Sequence, residues 1–285
     1  MVLRGPGYRW WRSLVGVLLG LSLYVLLGQL VSQLVIGIGY SVRSEGLDWS
    51  TYYRTSTAFE RPVGMLAAHL AIAMLIPVTL ALVAYWHGIR PRWLLSVQPG
   101  LRWRYLLICL GTSTVGLVAV LTLSSLVEGR VVIDPQPGFW WFLVVIVLTS
   151  PLQAAAEELF FRGYLLQALG SLVANPWFGI VVSAAVFAAF HGTQNPPLVA
   201  DRFVFGLLAG ILVTRTGGLE AGIAAHVANN ILAFTLAGLT TSIAAVSALR
   251  TITWAQAGFD ILGFAVIAVV AWLIGRRMNL ATRTP

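Results

Sequence analysis

Apolar residues run along this chain in blocks long enough to cross a bilayer, separated by short polar loops. A helix needs about 20 apolar residues to traverse the hydrocarbon layer. By that measure the blocks at roughly 13–39, 62–86, 105–127, 139–168, 177–191, 201–214, 219–239 and 254–275 are eight candidate spans. The pattern therefore predicts an all-α polytopic integral membrane protein with about eight transmembrane helices. The fifth and sixth blocks are short, as expected of partial crossings or of helices shielded by their neighbours. The first block, Ser13 to Gly39, is far longer than a signal-peptide core and reads as a retained anchor. The longest polar stretch, Tyr40 to Arg61, leaves no room for a second soluble domain. The expected organisation is three N-terminal spans over residues 1–138, a central core over 139–239, and a last span with a basic tail over 240–285.

Composition agrees with burial in lipid. Of 285 residues, 58% are hydrophobic and only 10% charged, and the mean hydropathy is +0.85. The net charge of +8 comes from 18 basic and 10 acidic residues. It does not point to nucleic acid, because the basic residues are scattered among short loops. All the basic residues are arginine, which suggests a GC-rich bacterial source and a bacterial plasma membrane. Their placement carries topology. Arg4, Arg9, Arg12, Arg90, Arg92, Arg102, Arg104, Arg215, Arg276, Arg277 and Arg283 fall at one end of the spans. Arg43, Arg54, Arg61, Arg130 and Arg250 fall at the other, mixed with Glu45, Asp48, Glu60, Glu128 and Asp134. The positive-inside rule then puts both termini in the cytoplasm. Cys109 lies alone in an apolar run and reads as a small packing residue.

Against this background a few ionisable side chains stand out. A charge at the bilayer centre costs about 2.5–3.5 kcal/mol even on a mild scale, so an intramembrane acid is a functional signal. The fourth span contains Glu157, Glu158 and Arg162. Glu158 and Arg162 are spaced to share a helix face and pair, whereas Glu157 is turned about 100° away. That leaves Glu157 as the carboxylate suited to take a proton from water. Phe187 with His191, and His226 with Asn230, repeat the same one-turn spacing. The second pair offers a ring nitrogen and an amide on one face, a combination that suits a metal or an oxyanion. Measured along the helices, Glu157 lies about 18 Å, His191 about 21 Å, His226 about 11 Å and Asn230 about 16 Å from the arginine-rich ends of their spans. These depths overlap, and the expectation is one shared cavity opening to the cytoplasm. His69 reads as a hydrogen-bonded packing residue, Glu220 and Asp260 as span-end residues facing water, and Asp201 with Arg202 as an interfacial pair.

The three segments Glu157–Arg162 (EELFFR), Phe187–His191 (FAAFH) and His226–Asn230 (HVANN), in this order and in successive spans, closely resemble the intramembrane protease family of CAAX prenyl endopeptidases and bacteriocin-processing proteins. The resemblance covers about Phe139 to Leu239. It implies an endopeptidase in which Glu157 with His191 activates water, His226 with Asn230 stabilises the tetrahedral oxyanion, and Glu158 with Arg162 supports the site. It also implies a peptide or membrane-protein substrate within the lipid bilayer, and no nucleic acid. Zinc on His191, His226 and one glutamate, with water as fourth ligand, is one form of the site, and a metal-free form is the other. Motifs of other intramembrane proteases and of ATP binding are absent. Two competing classes remain: an ion-coupled transporter using the same charges, which the lack of an inverted repeat disfavours, and a non-catalytic scaffold or immunity factor, which has no use for an unpaired buried carboxylate.

Overall fold

A computed structural model describes residues 2–4, 7–98, 100–128, 132–173 and 175–284; Arg130 of the topological argument lies outside them. After a 3-10 turn at Val2–Arg4 the helices are α1 (Trp10–Val42), α2 (Trp49–Thr57), α3 (Pro62–Ala73), α4 (Leu75–Ala81), α5 (Arg92–Leu95), α6 (Trp103–Glu128), α7 (Phe139–Glu158), α8 (Leu166–Val173), α9 (Pro176–Ala189), α10 (Pro196–Thr216), α11 (Glu220–Thr240), α12 (Ile243–Ser247) and α13 (Trp254–Arg277). Two π-helical segments, Leu82–Trp86 after α4 and Leu159–Leu165 between α7 and α8, complete the longer rods. Among the described residues seven helical rods are long and apolar enough to cross a membrane, and none of the named elements is a strand. The all-α polytopic architecture read from the pattern is thus observed. The outward surface is apolar, with Leu18, Val25, Leu26, Leu30 and Leu34 exposed along α1, as a lipid-facing helix requires.

The expected short spans divide. The sixth extends to the 21 residues of α10, because Asn195 caps the helix and Pro196 occupies its first turn, adding a polar start that hydropathy alone leaves out. The fifth, α9, has 14 residues, about 21 Å, too short to cross unaided; it packs between α8 and α10. Further packing of α1 on α3 and α8, α3 on α7, α7 on α11, α11 on α6, α6 on α13 and α13 on α10 closes the helices into a ring. At one face the chain is tied together over long sequence distances. Arg4 donates to the Ser171 carbonyl at 2.7 Å, Val97 N to the Gly217 carbonyl at 2.8 Å and Leu219 N to the Leu95 carbonyl at 2.9 Å. Arg102 reaches the Thr216 carbonyl at 2.9 Å and the Ala281 carbonyl at 3.4 Å.

Candidate functional site

The site is assembled chiefly on α7, the π-helical segment after it, and α11. Glu158 and Arg162 face one another along the first of these rods, Oε1 to Nη1 at 3.0 Å, and both are almost wholly buried. The pairing survives the π-helical widening, a distortion that recurs at functional sites. Glu158 Oε1 also accepts a hydrogen bond from His226 Nδ1 at 2.9 Å. A carboxylate beside a guanidinium accepts only, so Nδ1 carries the proton and Nε2 is the ring nitrogen left for chemistry. That Nε2 lies 3.5 Å from Glu157 Oε2. The other oxygen of Glu157 accepts from Gln153 Nε2 at 2.7 Å. Gln153 Oε1 in turn accepts from Asn230 Nδ2 at 2.7 Å, and Asn230 Oδ1 from Asn229 Nδ2 at 3.2 Å.

Glu157 is therefore anchored by an amide and faced by an imidazole, and its partner is not the arginine. The arginine is held elsewhere: its guanidinium carbon sits 4.1 Å from the ring centre of Phe187, a cation–π contact that offsets part of the cost of burial. Glu158 Oε2 and both terminal nitrogens of Arg162 lack hydrogen-bond partners among the described residues. Room for Glu158 is left by Gly222, where a methyl group would stand 2.9 Å from Oε2. His191, just beyond α9, donates through Nδ1 to the Phe187 carbonyl at 2.9 Å, and its ring meets Phe187 edge to face at 4.7 Å. With Nδ1 donating to a carbonyl, Nε2 of the neutral ring keeps its lone pair.

Gln153, Glu157, His191, His226 and Asn230 share the wall of one cavity of about 770 Å³, while Glu158 and Arg162 lie behind it. Sequence reasoning passed over Gln153; its signal was an amide one helical turn before Glu157 in an apolar span. Three expectations are corrected. The cavity does not run toward the arginine-rich face: its lining ends at Phe59, Thr241, Leu249 and Arg250, at the opposite end of the bundle. Distances along a helix give depth but not the direction in which space opens. Glu220 does not face water but is fully buried in an ion pair with Arg102 at 2.6 Å, a partner too distant in sequence to be read from spacing. Asp201 does pair with Arg202, at 3.9 Å, but its side chain is buried on the cavity wall rather than turned to water. His69, as expected, is buried and bonded through Nδ1 to Thr149 Oγ1 at 2.7 Å.

For a zinc ion the donors fit poorly. Among the described residues no group of three His, Cys, Asp or Glu side chains is gathered as a ligand set. His191 and His226 each keep Nε2 while Nδ1 donates to a carbonyl or a carboxylate, a disposition that suits metal-binding imidazoles, so it is the missing third ligand beside them that argues against zinc.

The fold and site thus define a multi-pass α-helical membrane protein with a carboxylate, histidine and amide cluster on an internal cavity. Comparison with known proteins places this segment: residues 137–232 match the family described as "Type II CAAX prenyl endopeptidase Rce1-like", so the resemblance read from the three motifs holds there. The chain is 36% identical over 99 residues to the uncharacterized protein YyaK of Bacillus subtilis, covering 32% of this chain and 33% of that one. It is 31% identical over 86 residues to an uncharacterized 24.3 kDa protein of Escherichia coli, covering 30% and 38%. The matches thus span about a third of the first relative and under two fifths of the second.

Proposed function

We propose that this chain is an intramembrane endopeptidase of the CAAX-protease type, hydrolysing a peptide bond with water activated by Glu157 and His191. The observation that carries the reading is the setting of Glu157: on a cavity wall, without a cationic partner, one oxygen fixed by Gln153 and the other turned to His226 Nε2. A general base needs a proton-free acceptor held in place beside room for substrate. Glu157 takes the proton of water as the water oxygen attacks the carbonyl carbon. The free N–H of Asn230 donates to the oxygen that becomes negative, and His226, held in register by Glu158, donates there as well once its Nε2 has taken a proton. As the C–N bond breaks, the proton passes to the leaving nitrogen from Glu157 or through His191 Nε2. Glu158 and Arg162 touch no substrate; they orient His226.

Purified protein in detergent, offered a peptide library, is expected to cleave, and Glu157→Ala to abolish cleavage. Equal cleavage by both proteins would remove Glu157 as the base, and solute flux without cleavage would move the assignment to a carrier. The proposed chemistry predicts cleavage unchanged by a chelator. Stoichiometric metal in the purified protein, lost together with activity, would replace this mechanism with a zinc-assisted one.

A further inference from the structure

We infer that the cavity opens to the non-cytoplasmic side of the membrane, and that its substrates are polypeptide segments on that side. The substrate half of this inference rests on the peptidase reading; the orientation does not.

Three observations combine. The cavity lining reaches the loops around Phe59, Thr241, Leu249 and Arg250, and takes in no residue of the loops at the opposite face. That opposite face is sealed by Arg102, which joins Glu220, Thr216 and Ala281, and by the Leu95–Leu219 and Val97–Gly217 backbone contacts. The sealed face also carries eleven of the arginines, from Arg4 to Arg283, and its one acid, Glu220, is neutralised by Arg102. At the open face Arg43 and Arg61 lie within reach of Glu45, and Asp48, Glu60 and Asp134 dilute the positive charge further. Short loops rich in arginine stay in the cytoplasm. The sealed face is the inner one, and the mouth faces out.

A cysteine scan in intact bacterial cells tests this. In a Cys109→Ala background, Thr241→Cys and, separately, Ala248→Cys at the exposed mouth are expected to react with a membrane-impermeant maleimide. Thr284→Cys, at the sealed face, is expected to react only after the cells are permeabilised. The reverse pattern, or reaction of both faces in intact cells, overturns the orientation whether or not the protein cleaves anything. For the substrate, impermeant quenched peptides added outside cells producing wild-type protein are expected to be cut, and cells producing Glu157→Ala to leave them intact. Correct labelling without external cleavage would overturn the substrate half, and detergent-solubilised protein would then tell a wrong side from a wrong chemistry.

Discussion

Two buried arginine–glutamate pairs in this bundle look alike on paper and behave differently. Arg102 grips Glu220 through Nε at 2.8 Å and Nη2 at 2.6 Å, its backbone N–H adds a third bond at 3.0 Å, and Nη1 goes to main-chain carbonyls. Nearly every donor is used, and the pair locks a loop, a helix start and the C-terminal segment at one face. Arg162 and Glu158 lie deeper, share one contact at 3.0 Å and leave Oε2 and both terminal nitrogens without hydrogen bonds. The oxygen in that contact is also lent to His226. A saturated pair is a clamp. An unsaturated one, its arginine lying against the ring face of Phe187, keeps a histidine aimed at Glu157.

Substitutions separate the two roles, beginning with the largest effect. Replacing Glu157 by Gln removes the base and is expected to lower the cleavage rate by about 10²–10⁴-fold, with the melting temperature unchanged; a fall in melting temperature of several degrees would make Glu157 structural. Glu158→Ala leaves Arg162 buried and uncompensated, a loss of about 3–5 kcal/mol, together with loss of cleavage. The double variant Glu158→Ala, Arg162→Met is expected to recover stability in thermal unfolding but no activity, because His226 still lacks its acceptor. Recovery of both would dismiss the orienting role. Glu220→Ala strands Arg102, which keeps a little solvent, so the stability loss is expected at the lower end, about 3 kcal/mol, with cleavage per folded molecule retained. Gly222→Ala puts a methyl group 2.9 Å from Glu158 Oε2. It is expected to cost about 1–3 kcal/mol by overpacking and to reduce the rate by disturbing His226. Smallest is Gln153→Leu, which frees one oxygen of Glu157; a rate loss of about tenfold, equivalent to one lost hydrogen bond, is expected at unchanged stability.

Much of this was legible in the chain. Long apolar blocks predicted all-helical spans because lipid leaves the backbone no other way to satisfy its hydrogen bonds. The spacing of Glu158 and Arg162 predicted their pairing, since residues one helical turn apart meet whatever surrounds them. The order of three short motifs singled out Glu157, His191, His226 and Asn230 before any contact was known. What the sequence could not hold was partnership between spans. That His226 belongs to Glu158, that Gln153 bridges Glu157 to Asn230, and that Glu220 is claimed by Arg102 depend on which helix faces lie together in the ring. The direction in which the cavity opens is of the same kind. Depth follows from counting residues along one helix, but the mouth is the space that several helices leave between them, and only their packing determines where that space lies.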